Sequence, residues 1–191
     1  MPSDRIRLIS PEKVLETRRL LLEPLTAAHA AILYEPLLNS RLYTFIPQDP
    51  PASERALEDR YRKLSTRRSP DGSEAWLNWA ARERETGRYA GTLEATVQED
   101  GAAFVAYMVF VACQRRGFAA EGCGRLLAHL FDDYGVSVVV AEIDTRNAAS
   151  VALVESLGFR RVALRRDADH FKGASSDEYR YELGRPEHRR C

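Results

Sequence analysis

The spacing of apolar positions changes along the chain. From Ala75 to Cys113 it is that of strands: Trp76 to Glu83, Tyr89 to Gln98 after a Thr86-Gly87 turn, and Ala103 to Val111 after Asp100-Gly101. Asp-Gly between such segments is a strong hairpin signal, so these strands are expected to be antiparallel neighbours. Beyond Cys113, the positions Cys123, Leu126, Leu127, Leu130 and Tyr134 recur at helical spacing. They predict a helix over about 119–134 with Glu121, Arg125 and His129 on its wet face. Gly122 and Gly124 interrupt it at about 1 kcal/mol each relative to Ala. Close packing against the sheet or a ligand is the reason they suggest.

Ser137 to Thr145 is a β-branched run, read as a buried strand. A helix from Ala148 to Leu157 follows, ended by Gly158 as an αL C-cap, with Phe159 returning to the core. The tail predicts strands at Phe159 to Arg166 and Glu178 to Leu183 around a polar loop, Asp167 to Ser176. At the other end, residues 1–14 read as a loose arm and Arg19 to Pro24 as a strand. Thr26 caps a helix with Ala30, Leu33 and Leu37 inward; Pro36 kinks or ends it. Pro47, Pro50 and Pro51 mark a long loop before Ser53 caps a second helix. Tyr43, Phe45 and Ile46 in that loop either fold onto the core or line a substrate wall. The fold class is α/β (α+β): one domain over 15–184, a mixed, mostly antiparallel sheet of about six to seven strands with helices on both faces, and a short tail, 185–191.

With 191 residues, the chain is long enough for a self-sufficient core. Acidic and basic residues balance at 28 each, so no global field draws it to nucleic acid or an anionic membrane. The basic cluster Arg60, Arg62, Lys63, Arg67 and Arg68 reads as a solvated helix face rather than an RNA contact, because no aromatic residues are interleaved. Cys113, Cys123 and Cys191 lack Cys-x-x-Cys spacing and are odd in number, which suits a reducing compartment and argues against a metal site. The start lacks the apolar core of a signal peptide, and the longest apolar stretch is too short to cross a bilayer. A cytoplasmic location is expected.

Gln114 to Ala119, Gln-Arg-Arg-Gly-Phe-Ala, sits between the last strand of the meander and the following helix. The first turn of a helix leaves backbone N–H groups without partners, and the peptide dipoles add about half a positive charge there. An anion such as a phosphate completes such a site. Gly117 admits close backbone approach, and Arg115 and Arg116 add fixed positive charge. Neither the P-loop nor the dinucleotide Gly-x-Gly-x-x-Gly pattern fits.

This segment resembles the Gln/Arg-x-x-Gly-x-Gly/Ala signature of the GNAT family of N-acetyltransferases. Asn147-Ala148-Ala149-Ser150 followed by Leu157-Gly158-Phe159 resembles a segment of its ribosomal-protein N-terminal acetyltransferase branch, and Leu15 to Leu20 resembles that branch's first strand. The resemblance spans about residues 15 to 184. It implies acetyl-coenzyme A as co-substrate, its pyrophosphate held by Arg115, Arg116, Gly117, Phe118 and Ala119. Pantetheine would enter between diverging strands, Tyr107 to Val111 and Val138 to Thr145. A backbone N–H near Phe110 or Val111 would polarise the thioester carbonyl. Asn147 and Ser150 would lie by the coenzyme, Ser150 as the hydroxyl near sulfur, although each also fits an ordinary helix start. Many members use a tyrosine where this chain has Val154. Ala119 replaces the commoner second glycine, and Cys113 stands where proline or an acid is frequent.

Amine acetylation needs a neutral nucleophile. Deprotonating a lysine at pH 7 costs on the order of 4.6 kcal/mol, an α-amine only about 1 kcal/mol. A weak or water-relayed base therefore suffices for an N-terminus. Glu94, mid-strand with Thr92 and Thr96 on its face, is the first choice of base; the same position also fits a solvent-facing carboxylate. His170 is the reserve. Cys123 lies near a helix N-terminus but has no histidine placed to serve it, so acyl-cysteine chemistry is disfavoured. The reading is direct transfer in a ternary complex to a small-molecule amine or protein N-terminus, without metal, nucleic acid or membrane, with a homodimer compatible. The alternative is a non-catalytic acyl-coenzyme A sensor.

Overall fold

The computed structural model describes residues 13–185. Most of the expected N-terminal arm and C-terminal tail, with Cys191, lies outside the described residues. The elements run β1 (Leu15–Glu16), β2 (Leu20–Pro24), α1 (Ala30–Leu37), α2 (Glu54–Leu64), β3 (Glu74–Glu83), β4 (Tyr89–Gln98), β5 (Ala102–Val109), α3 (Phe118–Asp132), β6 (Val138–Asp144), α4 (Ala148–Ser156), β7 (Arg160–Phe171) and β8 (Ala174–Gly184). They form one eight-stranded sheet in the order β1-β2-β3-β4-β5-β6-β8-β7. Every pairing is antiparallel except β5 with β6. The expected mixed sheet is present, with eight strands rather than six or seven. The short β1 is the addition.

Alternation along β4 and β5 sorts side chains to two faces. Leu93, Ala95 and Val97 join Ala103, Phe118, Leu126 and Leu130 in a core beneath α3, and Val154 of α4 packs in the same cluster. Ala80 and Phe110 face a second cluster with Leu33, Leu37, Leu57 and Tyr61, from α1 and α2. α1 ends at Leu37, one residue past Pro36.

Two expectations are corrected. The segment 167–176 is not a polar loop: β7 and β8 continue through it as a long hairpin, turning at Lys172 and Gly173 with φ of 53° and 77°. Its polar sequence follows from exposure along nearly the whole of β7, with no apolar alternation to betray a strand. His129 is 1% exposed rather than wet. Its ring lies edge-on to Trp79 and Tyr134, and Nδ1 bonds Asp133 at 2.5 Å.

Gly122 has a packing explanation. An added Cβ would meet Leu93 Cδ2 at 3.2 Å, so its absence lets α3 lie close on β4. Gly124 faces open space.

Candidate active site

β5 ends at Val109, a short 3-10 turn follows at Val111–Cys113, and Gly117 caps α3. The loop winds through left-handed φ values, 62° at Arg115 and 79° at Gly117. Gly117 adopts that conformation without strain. The first α3 amide to find a backbone acceptor is that of Glu121, bonded to Gly117 O at 3.1 Å. Among the described residues, the amides from Arg115 to Ala120 have no hydrogen-bond partner. These are the donors an anion would use.

The arginines around this turn differ. Arg116 is ion-paired with Glu83, a carboxylate 5% exposed at the end of β3. Arg116 and Arg19 lie over the Phe118 ring at 4.6 and 4.8 Å. Arg19 also donates from Nη1 to Arg116 O at 2.8 Å and from Nε to Glu121 at 2.6 Å. The Thr86 hydroxyl first, then Arg116, holds Glu83 below the usual carboxylate range against the opposing effect of burial. Arg115 is exposed and makes no ion pair among the described residues. Phe118 buries its side chain in the core, so what it can offer an anion is its amide. Ala119 is half-buried beside it.

Next to the loop the sheet opens. β5 and β6 pair only at Ala102–Val138, Ala103–Val139 and Phe104–Val140, whereas β5 stays paired with β4 as far as Val109. The Phe110 amide is not available to a ligand: it donates to Ala90 O at 2.8 Å. That corrects the expectation of a free N–H at Phe110. By strand alternation, the backbone groups of Tyr107 and Val109 are those turned to the gap. The Val109 carbonyl already accepts from Gln114 Nε2 at 3.1 Å. Among the described residues, the Val111 amide has no partner.

On the far side of the gap, Asn147 caps α4, its Oδ1 accepting from Ser150 N at 3.1 Å. The turn before it is tied by Asp144, whose carboxylate binds Arg146 Nη2 at 2.5 Å and Ser176 Oγ at 2.7 Å. Ser150 thereby comes to face Tyr107. The Tyr107 hydroxyl is buried without a hydrogen bond of ordinary geometry; burial pushes its pKa up to about 12, opposed by the neighbouring Ser150 hydroxyl. Tyr107 was not foreseen. It sits within the strand expected to splay, and its side chain meets the start of α4 at Ser150.

The opposite face of β4 and β5 floors a cleft of about 390 Å³ walled by α1, α2 and the loop before α2. Glu94, Thr92, Ala106 and Met108 form the floor, and Tyr107 also borders it. Tyr43 folds inward and donates to Leu37 O at 2.9 Å, while Ile46 lines the wall. Lys172, at the β7–β8 turn, clasps this loop through Ile46 O at 2.8 Å and Gln48 O at 3.1 Å. Burial raises the Glu94 pKa above the ordinary carboxylate value, and the Arg60 charge opposes it. His170 is exposed on β7 and does not line the cleft. Cys123 is 7% exposed, and burial pushes its thiol up to about 12. Packing against the sheet outweighs the helix terminus at this cysteine.

Among the described residues, no group of His, Cys, Asp or Glu could hold a metal ion, and no helix is long and apolar enough to cross a membrane. Residues 19–160 match the acetyltransferase (GNAT) domain family. The uncharacterized N-acetyltransferase YoaA of Bacillus subtilis is 23% identical over 175 residues, covering 91% of this chain and 97% of that protein. The N-alpha-acetyltransferase RimI of Mycobacterium tuberculosis is 40% identical over 70 residues, 36% of this chain and 44% of that protein. Of solved structures, RimL, a ribosomal-protein alpha-N-acetyltransferase in complex with coenzyme A, superposes with a TM-score of 0.80 at 16% identity, covering 90% and 98% of the two chains. The spermidine N-acetyltransferase of Vibrio cholerae, in complex with coenzyme A and spermine, gives 0.75 at 18% identity over 88% and 97%. With the family match spanning most of the chain, and with unpartnered amides at one helix start beside an opened strand pair, the protein belongs to the acetyltransferase (GNAT) family and is an acetyl-coenzyme A-dependent acyltransferase.

Proposed function

We propose that the protein acetylates a primary amine, either a protein N-terminal α-amine or a small-molecule amine, by direct transfer in a ternary complex. One observation carries this reading: β5 separates an opened strand gap on one side from an acid-floored cleft on the other, and Tyr107 borders both. The diphosphate falls to the free amides from Arg115 to Ala120, with Arg115 and the cap at Gly117 beside it. Asn147 lies along the gap at the start of α4. The thioester carbonyl is placed where the Val111 amide, or that of Val109, can donate to its oxygen.

Glu94 serves as general base, directly or through one water, taking the proton of an incoming ammonium. Burial suits it to that task, because a carboxylate with a raised pKa is a stronger base. The neutral amine attacks the carbonyl carbon; a C–N bond forms and the C–S bond breaks. Ser150 supplies a proton to the departing thiolate and recovers one from Tyr107 across the gap; Tyr107, which also borders the cleft, regains the second proton that the nitrogen sheds as the amide forms, so no covalent enzyme intermediate is left.

A thiol-release assay across peptides with free N-termini, amino acids, polyamines and aminoglycoside-type amines tests the proposal. Release with at least one class supports it. Tight coenzyme binding with no release from any class would make the protein a sensor of acyl-coenzyme A instead.

A further inference from the structure

The basic side chains of α2 are not equivalent. Arg55 pairs with Asp59 at 3.3 Å, Arg62 pairs with Asp59 at 2.5 Å and with Glu58, and Lys63 lies 5.8 Å over the Trp76 ring. Arg60 makes no ion pair among the described residues, and it alone of this group lines the cleft above Glu94. Its charge acts on Glu94, Tyr43 and Tyr61, in each case against the effect of burial.

The acids of the cleft differ as well. Asp49, at the rim, is 83% exposed and faces Lys172 Nζ at 3.8 Å, so its charge is already offset. Glu94 is the carboxylate left on the floor, and the remaining walls include Leu37, Ile46, Pro51 and Leu57. A compact acceptor here therefore meets one anion deep and one cation at the wall, across largely apolar surface that strengthens both interactions.

We propose that Arg60 is a specificity residue that binds a carboxylate carried by the acceptor near its reactive amine. The inference rests on the transfer reading above and narrows it to amines accompanied by an acid group, with polyamines disfavoured. A guanidinium forks onto a carboxylate through two parallel hydrogen bonds, a geometry that an ammonium on the acceptor cannot supply and that like charge opposes. The acid can come from a free amino acid or from an Asp or Glu second residue of a peptide.

The test compares pairs matched except for that charge, with rates taken per neutral amine, because replacing the acid by its amide also lowers the pKa of the amine beside it. Alanine is set against alaninamide, and a peptide beginning Ala-Asp against one beginning Ala-Asn, with spermidine as the cationic arm. At least one acid is expected to exceed its amide by about tenfold in kcat/KM, the size of one charge-assisted hydrogen bond, and whichever pair shows the preference identifies the source. Arg60→Gln should bring that ratio to within about twofold without changing the KM for acetyl-coenzyme A. Arg60→Glu should move the preference toward spermidine. Both are exposed-helix substitutions compatible with folding. Equal rates within both pairs, or a preference that survives Arg60→Gln, would overturn the assignment. If no amine is acetylated, the transfer reading fails separately. Calorimetric titration of the same pairs into coenzyme A-loaded protein then decides: tighter binding of an acid, lost in Arg60→Gln, keeps Arg60 as the anion site, and equal affinities end it.

Discussion

The Tyr107 hydroxyl and Ser150 face one another where β5 and β6 part, and the tyrosine is buried there without a hydrogen bond of ordinary geometry. An unsatisfied buried hydroxyl costs stability of about 1–3 kcal/mol, so a use for it is the natural inference. Tyr107→Phe is expected to leave thermal stability unchanged or slightly raised, because it removes the unpaired group. Turnover should fall on the order of 100-fold or more, as for loss of a general acid or its relay, and Ser150→Ala should do the same with little change in coenzyme affinity. Melting curves beside steady-state kinetics check this. Unchanged kcat in both variants would remove the hydroxyls from the acid step.

Glu94 makes the pH dependence specific. Its pKa is raised by burial, so the base becomes available only as pH climbs above the ordinary carboxylate range. The expected profile of kcat/KM rises with pH through that raised value, and Glu94→Gln should lower turnover while deleting this limb. The same shift has a stability consequence of the opposite sign. The folded state holds the proton more tightly than the unfolded one, so Glu94 costs stability as pH rises from about 4.3 toward its folded value. Glu94→Gln should therefore flatten the pH dependence of unfolding over that window.

The period of the apolar pattern made the meander, α3 and the β-branched β6 legible. The capping residues Ser53 and Asn147, the latter with its bond to Ser150, were legible too. What escaped depends on contacts between distant segments. His129 falls on the outer side of its own helix, but Trp79 and Tyr134 close over it, and periodicity within one helix carries no trace of that cover. The engaged amide of Phe110 follows from the register of β4 against β5, in which Ala90 and Phe110 come just beyond the last pair, Gly91 with Val109. The pairing of Arg116 with Glu83 joins residues 33 apart in sequence, so the loop motif could show two arginines but not which one was already bound.

That pairing predicts a split between binding and chemistry. Glu83 reaches from inside the sheet to hold Arg116, and Arg19 holds the Arg116 carbonyl, so the loop is braced from behind while its amides face outward. Glu83→Gln should loosen the brace and raise the KM for acetyl-coenzyme A several-fold, with a smaller effect on kcat. Gly117→Val should abolish coenzyme binding. It forces a β-branched side chain into φ of 79° and sets a Cβ 3.2 Å from Arg19 Nη2. Calorimetric titration of coenzyme A into each variant measures both, and wild-type affinity in Gly117→Val would displace the diphosphate site from this turn.

Acid sensitivity should centre on Asp144. The Arg146 bonds, ahead of the opposing effect of burial and a further bond from Ser176, hold its carboxyl at about 2. A depressed pKa contributes stability that is fully present above the unfolded value near 3.9 and is lost as pH falls toward 2. With Arg146 itself 47% exposed, the contribution is discounted to roughly 1–2 kcal/mol. Asp144→Asn should lower stability at pH 7 by about that amount and converge on the parent protein near pH 2, which denaturant titrations across pH resolve.

The two helix glycines should respond in opposite directions to one substitution. At Gly124 an added methyl meets nothing within 4 Å, so Gly124→Ala should gain the helix-propensity difference of about 1 kcal/mol. At Gly122 the same methyl lands 3.2 and 3.4 Å from the two methyls of Leu93 and 3.6 Å from Leu20, in the layer that seats α3 on β4 and β2. Leu93 is 5% exposed and has little room to yield, so overpacking of about 1–3 kcal/mol should outweigh the propensity gain. Because α3 carries the amides of the anion site at its start, a shift of the helix away from the sheet should also weaken coenzyme binding in Gly122→Ala. Melting temperatures and coenzyme A titrations on the pair decide the matter; two stabilised variants with unchanged affinity would show that α3 does not need that close approach.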